Sequence, residues 1–328
     1  GDLRDLHSFP TRRSSDLVVA LTGGTGFIGP YLVRSLAAAG WWVRVLVRPG
    51  RQHALAAGIE VIGGDLDDEE SLARLLDGAD ALVHAAGAIK ARSPADFLRV
   101  NRDGAGRLAK MAAACRYPPR VVVVSSLAAR APHLSDYAFS KAAGEQAFHH
   151  HGPDDLAILR PAAVYGPGDR ETASWLRAAC GAVLPIPHLP AARLCLIHAA
   201  DLAAAVAALC PPGAPAGTFE LSDHRSDGYG WRELAEIARA AAAGRGRIVV
   251  VPPVLLHAAA GVSALVGRLS GRAVMLTPGK AREILHPDWS SSASRQPSPS
   301  LWRPVWTLHD GLAQTIATLR LAAATAQA

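Results

Sequence analysis

One glycine-rich turn constrains this chain more than any other feature. Val18–Thr22 reads VVALT, a short apolar run that predicts a buried strand, and it leads directly into Gly23-Gly24-Thr25-Gly26-Phe27-Ile28-Gly29. Helical text follows over Phe27–Ala39 and stops at Gly40. Gly23 permits the tight turn after the strand, Gly26 lets backbone approach a pyrophosphate, and Gly29 lets the helix pack closely on the strand. The new helix presents unpaired N–H groups and the positive end of its dipole to a phosphate. Thr25, Phe27 and Ile28 share this turn and are expected to line the same dinucleotide site.

The text beyond the turn keeps alternating. Strands are predicted at Trp42–Val47, Ile59–Ile62, Ala81–His84, Arg120–Ser125 and Leu156–Leu159. Helices are predicted between them at Ser71–Leu76, Pro94–Cys115 and Tyr137–His150. That alternation predicts an α/β fold with a doubly wound, mostly parallel Rossmann-like sheet. After Pro161, Gly and Pro become frequent and the predicted strands scatter: Leu194–Ile197, Thr218–Leu221 and Ile248–Val251. Helices are expected at Ala199–Leu209, Trp231–Ala242, Val254–Leu269 and Leu308–Leu319, and an exposed Ser/Pro-rich loop at Ser290–Ser300. Residues 18–160 therefore read as the dinucleotide-binding domain. Residues 161–328 read as a smaller, mixed C-terminal substrate lobe, some of whose segments return to the main sheet.

Composition supports a folded chain with a buried core and excludes other classes. Of 328 residues, 50% are hydrophobic and 19% charged, which rules out a disordered chain. The net charge is +6, with no basic–aromatic alternation, so no nucleic-acid partner is expected. The apolar stretch Pro252–Val266 is about 15 residues against the roughly 20 a spanning helix needs, so no membrane span is expected. Val254–Leu269 is apolar around much of its circumference; packing against the lobe is its default reading, a substrate lid or a membrane-surface helix the alternative. Cys115, Cys180, Cys195 and Cys210 form no C-x-x-C pair and read as free thiols in a reducing, cytoplasmic compartment. His149-His150-His151 ends a predicted helix without acidic partners in register, so helix-end solvation is preferred to a metal. Residues 1–17 are set aside: His7–Leu17 reads HSFPTRRSSDL and resembles a translated sequencing adapter. A twin-arginine export signal is the rival reading, rejected because the apolar run after Arg12-Arg13 serves better as the first strand.

Two further features address chemistry. The second strand ends Val47-Arg48, with Arg51 shortly after and no carboxylate there to hold a ribose 2′-hydroxyl. A guanidinium suits a 2′-phosphate, which favours NADP over NAD; stacking on adenine, with NAD tolerated, is the alternative. Asp65, with Leu66 after it, follows the third strand where adenine should lie; a plain surface turn is its bland reading. Tyr137-Ala-Phe-Ser-Lys141 sets a phenol and an ammonium one helical turn apart. A free phenol has a pKa near ~10, and a nearby ammonium lowers it toward use as an acid/base on an alcohol or carbonyl oxygen. Ser125-Ser126 ends a VVVV strand just upstream, where sheets of this type bind ligands.

Taken together, Gly23/Gly26/Gly29, His84-Ala85-Ala86-Gly87, Val100-Asn101, Ser125-Ser126, Tyr137-x-x-x-Lys141 and Arg160-Pro161-Ala162-Ala163-Val164-Tyr165-Gly166-Pro167-Gly168-Asp169 resemble the extended short-chain dehydrogenase/reductase family, the NAD(P)-dependent epimerase/dehydratase group. Ile197-His198-x-x-Asp201-Leu202-Ala203 is similar to that family's late-lobe motif, and Trp302-Arg303-Pro304 to its C-terminal ending. The resemblance implies Tyr137 as acid/base, Lys141 as holder of the nicotinamide ribose and tuner of the phenol, and Ser126 as hydrogen-bond donor to the reacting oxygen. It implies a proton-path role for Asn101, with a helix-bending role equally open. Ala85, Ala86 and Gly87 would line the dinucleotide, and Pro161 and Val164 would pack the nicotinamide. Only eleven residues separate Ser126 from Tyr137, which implies a trimmed substrate loop, and Asp136 alone stands where dehydratases carry an acidic pair. The expected function is an NADP-preferring oxidoreductase acting on a small-molecule carbonyl or secondary alcohol. An NAD-dependent nucleotide-sugar epimerase and a non-catalytic dinucleotide-binding scaffold are the alternatives. A homodimer would fit the family.

Overall fold

The structure, a computed structural model, describes residues 17–50 and 59–325. Residues 1–16 of the set-aside leader, and Arg51, lie outside the described residues. Seven parallel strands form the main sheet: β1 (Val18–Thr22), β2 (Trp42–Val47), β3 (Glu60–Gly63), β4 (Ala81–His84), β5 (Arg120–Val124), β6 (Leu156–Pro161) and β11 (Gly217–Leu221). Their order is β11-β6-β5-β4-β1-β2-β3, which reverses direction beside β1 and makes the sheet doubly wound. The strand over Gly217–Leu221 comes from the late part of the chain and pairs with β6.

Both faces of the sheet centre are covered, so β1, β4 and β5 are near-continuous apolar runs, while the edge strand β3 is only partly buried. Side chains alternate between faces: Val19 and Leu21 join one buried cluster, Val18 and Ala20 the other. The first cluster is closed by α1 (Gly29–Ala38), α7 (Ala199–Leu209) and Trp302. The second is closed by α2 (Glu69–Leu76), α4 (Ala105–Ala113) and Phe148 of α5 (Asp136–His151). A third cluster holds the later lobe together, with α6 (Ala173–Cys180), β8 (Val183–Pro187), α8 (Trp231–Ala241) and α11 (Leu308–Thr325). Short parallel pairs complete this lobe: β7 (Ala163–Tyr165) with β10 (Leu196–His198), β8 with β12 (Arg247–Val251), and β9 (Arg193–Leu194) with β13 (Asp288–Trp289).

Several expectations are corrected. The helix foreseen over Pro94–Cys115 is α3 (Pro94–Leu98), a π-helical turn at Arg99–Gly104, and α4. π-helical turns are rare, and the apolar text of this stretch reads as one continuous helix. The loop Ser290–Ser300 is not uniformly exposed: Ser291 is buried and meets Ser222 at 2.8 Å, and Gln296 donates to Ser222. Val254–Leu269 becomes α9 (Pro253–Ser270), 18 residues long with a mean hydropathy of 1.3, and only 11% of it is buried. Packing against the lobe, the default expectation, thus covers little of it; by length and composition alone the helix is long and apolar enough to cross a membrane. It is followed by a short helix that sequence reading missed, α10 (Pro278–Ile284).

Candidate active site

In a parallel sheet all strands end on one edge, and six of these ends carry the residues singled out in the sequence. The Gly23–Gly29 turn leaves β1, Arg48 leaves β2, Asp65 leaves β3, and Ala85-Ala86-Gly87 leaves β4. Ser126 follows β5, and Pro161 closes β6. The turn between β1 and α1 is shaped by close backbone approach. Gly23 has φ +83, and a Cβ there would lie 2.5 Å from the Ala85 carbonyl carbon. A Cβ on Gly29 would collide with the Gly24 carbonyl oxygen, so the helix start is pressed onto the turn. Gly26 differs: it is exposed, and a Cβ would meet only the Gly23 oxygen, at 3.3 Å. Helix α1 opens at Ile28 without a side-chain cap, which leaves its first N–H groups for an anion. Thr25 and Phe27 are part of the same turn, the Phe27 ring 6.2 Å from that of Tyr31. This cradle fits a dinucleotide pyrophosphate.

The neighbouring strand ends are tied together. Thr22 Oγ1 pairs with His84 Nδ1 at 2.8 Å and accepts from the Ala86 N–H at 3.3 Å. Burial, reinforced by Lys141, holds His84 neutral, its pKa pushed down to about 3. Arg48 is exposed and makes no ion pair among the described residues, so its guanidinium is free for a ligand. Asp65 spends Oδ1 on its own turn, accepting from the Asp67 N–H at 2.8 Å. The Leu66 carbonyl accepts from Arg107.

Asn101 sits buried in the π turn, and its amide is committed. Oδ1 accepts from the Ala88 N–H at 2.7 Å, while Nδ2 donates to the Ala88 carbonyl at 3.0 Å and to Ser140 Oγ at 2.8 Å. Both amide hydrogens are thereby used. The residue clamps the loop after Gly87 onto α5, and α5 approaches so closely that a Cβ on Gly144 would collide with the Asn101 carbonyl.

Tyr137 lies half-buried in the first turn of α5, which Ser135 caps by accepting from Ala138 N at 2.9 Å. Its ring faces Phe97 at 6.2 Å. Burial raises the phenol above its ordinary pKa; the Ser126 hydroxyl and the Lys280 ammonium pull it down, and Glu283 pushes it up. Lys141, one turn on, donates instead to the Val124 carbonyl at 2.9 Å and stands beside Gly87. Burial depresses Lys141 to about 8 against the opposing pull of Glu145. The expectation that Lys141 lowers the phenol is thus revised: the ammonium acting on Tyr137 is Lys280. Lys280 pairs with Glu283 at 2.8 Å, and Ser135 Oγ donates to Glu283. About 140 residues separate these α10 groups from Tyr137 in sequence, and no spacing rule links them.

Pro161 is buried beside Leu221, and Val164 pairs with Ile197 in the short β7–β10 sheet. The late-lobe and C-terminal motifs meet: Asp201 accepts from the Val305 and Trp306 N–H groups at 3.0 Å each, and its carbonyl accepts from Trp302 Nε1. All four cysteines are free, Cys180 exposed and Cys195 and Cys210 buried. Among the described residues no cluster of three His, Cys, Asp or Glu is placed to hold a metal.

The family model for the NAD dependent epimerase/dehydratase family matches residues 19–219. The chain belongs to this family. It is therefore an enzyme of the NAD(P)-dependent oxidoreductase/epimerase type. It is 44% identical over 281 residues to the ceramide reductase of Caulobacter vibrioides, covering 84% of this chain and 87% of that one. It is 30% identical over 243 residues to the 2′-dehydrokanamycin reductase of Streptomyces kanamyceticus, covering 67% and 65%. The fold is that of the UDP-glucose 4-epimerase of Thermus thermophilus, solved with NAD, at a TM-score of 0.70 and 20% identity, covering 93% of this chain and 99% of that one.

Proposed function

We propose that the chain is an NADP-preferring carbonyl reductase of lipid ketones of the ceramide type, with Ser126, Tyr137 and Lys141 as its reacting group. The reading is supported by Ser126 bonding the Tyr137 phenol after β5, with Lys141 reaching the Val124 carbonyl and Gly87 at the ends of β5 and β4, beside the Gly23–Gly29 cradle. The substrate class is supported by the 44% identity to ceramide reductase. NADP is supported by Arg48, a free guanidinium at the strand end where NAD enzymes carry a carboxylate.

When bound, NADPH supplies the hydride. Ser126 donates a hydrogen bond to the substrate carbonyl oxygen, and Tyr137 delivers its phenolic proton to that oxygen as the alcohol forms. The phenol starts protonated at neutral pH, as a proton donor must. Lys141 offers its ammonium to the nicotinamide ribose, and Asn101 fixes the loop against which the dinucleotide lies. Residues 18–160 bind the dinucleotide and residues 161–328 carry most substrate contacts. The four free thiols support a cytoplasmic site of action.

The test is single-turnover hydride transfer, followed by nicotinamide absorbance, with NADPH or NADH against a micellar ceramide-type ketone and UDP-glucose. Net oxidation of NADPH by the lipid ketone, lost in Tyr137→Phe, is expected. Conversion of UDP-glucose without net absorbance change would mean an epimerase. Cofactor binding without turnover of any substrate would mean a scaffold.

A further inference from the structure

Helix α9 is an 18-residue apolar helix that the fold leaves almost entirely outside. It touches the rest of the protein along one narrow seam, where Ala260 and Gly267 are buried and Leu256, Ser263 and Ala264 part-buried. A Cβ on Gly267 would lie 2.8 Å from the Val274 side chain, so that seam is tightly closed. The remaining circumference is exposed and mostly apolar: Val254, Leu255, Val262, Leu265, Val266 and Leu269, the last 80% exposed, interrupted by the exposed His257 and Arg268. A polar outer face is what water requires of a surface helix, and here the pattern is reversed.

The surrounding charge is one-sided. Between Glu236 and Glu283 the chain contains no Asp or Glu. Within that interval Arg245, Arg247, Arg268 and Arg272 are exposed, and none of the four pairs with a carboxylate among the described residues. An apolar helix flanked by unpaired cations matches the acyl and headgroup layers of an anionic bilayer. A second copy of this chain fits less well, because a two-fold contact would set the same basic segment against itself. Spanning is also disfavoured. Both neighbours of α9 are tied to one body, β12 through its pairing with β8, and α10 through Arg282 on the Leu134 carbonyl and Ser135 on Glu283. The helix begins at Pro252-Pro253 and ends at Gly271 in the left-handed region, φ +65, so each end turns back toward that body.

We infer that α9 lies flat in the surface of an anionic membrane and docks the enzyme there. The inference deepens the lipid-ketone reading and rests on it for its purpose: α10 packs against α9 and carries Lys280 and Glu283 beside Tyr137. A docked α9 therefore sets the Tyr137 site next to the bilayer that dissolves the substrate.

The experiment is flotation of the purified full chain with vesicles of phosphatidylcholine alone or mixed with phosphatidylglycerol. Wild type should float with the mixed vesicles and less with the neutral ones, and added salt should weaken the difference. The triple variant Val262→Glu, Leu265→Glu, Leu269→Glu should partition at least ~tenfold less, since it loses apolar contact and adds like charge. Its melting temperature and its reduction of a water-soluble ketone should match wild type, while turnover of a vesicle-embedded ketone falls with binding. Arg268→Gln with Arg272→Gln should lose only the preference for anionic vesicles. A wild type that floats with neither vesicle, or a triple variant that floats as well as wild type, overturns the inference. So does a wild-type dimer that the triple variant converts to monomer while vesicles leave both free, since α9 would then be a contact between copies. Flotation without turnover of any lipid ketone would uphold the docking and overturn the substrate reading instead.

Discussion

Lys141 is expected to make cofactor affinity fall with pH in a range where most lysines are inert. Burial against Val124 and Gly87 depresses its ammonium to about 8, while Glu145 opposes the shift. Below about pH 8 the free enzyme offers NADP a cation at the ribose site; above it the side chain is neutral and must take up a proton to make the same contact. If binding requires the ammonium, the apparent Kd grows as one plus ten to the power of pH minus 8, which is about elevenfold at pH 9. At that pH each binding event should take up about 0.9 proton. Calorimetric titration of NADP from pH 7 to 9.5, in buffers of different ionisation enthalpy, reads both quantities. Lys141→Arg keeps a cation throughout this range and should bind with a flat profile. Lys141→Met should bind weakly and equally at every pH. Stability moves oppositely: the unfolded chain binds more protons between about 8 and 10.5, so the wild type gains stability as pH rises through that window. Holding this part-buried ammonium charged at pH 7 costs roughly 3 kcal/mol, so Lys141→Met should melt no lower than wild type there. A wild-type Kd constant from pH 7 to 9.5, with no proton uptake, would refute the reasoning.

Three other perturbations separate the parts of the site. Arg48→Ala should weaken NADP by about ten- to a hundredfold, the ~1.5–3 kcal/mol of a charge-assisted contact, and leave NAD nearly unchanged; equal loss of both by calorimetry would remove Arg48 from the 2′-phosphate. Gly29→Ala drives a Cβ into the Gly24 oxygen and should lower stability by roughly 1–3 kcal/mol, whereas Gly26→Val, whose Cβ meets only the Gly23 oxygen, should fold as wild type and lose the nucleotide; denaturant melts beside binding titrations distinguish them. Tyr137→Phe should keep its packing against Phe97 and its cofactor affinity while turnover falls by at least ~10²–10⁴; single-turnover absorbance at the wild-type rate would end its assignment as proton donor.

The dinucleotide half of the molecule was legible because its signals are local. A strand, a glycine turn and a helix are contiguous in the chain, and burial of both sheet faces writes the central strands as apolar runs. Asn101 is the intermediate case: the residue is visible in the sequence, but the π turn that sets it against Ala88 and Ser140 is fixed by contacts with α5 that no local pattern records. The later lobe was poorly legible. Strands β7 and β8 are three and five residues long and carry prolines or small residues, so neither length nor alternation announces them. Lys280 and Glu283 were missed for a related reason. Helix α10 has seven residues, and its place over Tyr137 depends on Arg282 reaching Leu134 and on Gly279 approaching Ser135, contacts between segments far apart in the chain. For α9, the apolar pattern read as core was present, but hydrophobicity alone does not say whether protein or lipid covers a helix.

The pair Ser125-Ser126 shows how the fold resolves an ambiguity that the sequence leaves open. Either hydroxyl ends the VVVV strand, and adjacent residues on extended backbone point to opposite sides. Ser125 points inward, is buried, and donates to Glu145. Glu145 is held in turn by Arg160 through Nε at 3.0 Å and Nη2 at 2.6 Å, a two-pronged contact that anchors α5 to β6. Ser126 is left outward, part-buried, beside the Tyr137 phenol. Glu145 also supplies the negative charge that opposes the depression of Lys141, one turn earlier on the same helix. One buried carboxylate therefore does three things: it occupies the wrong serine, fixes the helix bearing Tyr137 to the sheet, and sets how near neutrality Lys141 gives up its proton. The distance of that proton from loss is what couples the strand ends to cofactor affinity, since a stronger pull from Glu145 would keep the ammonium charged and flatten the pH response, and a weaker one would leave the ribose without a cation at neutral pH.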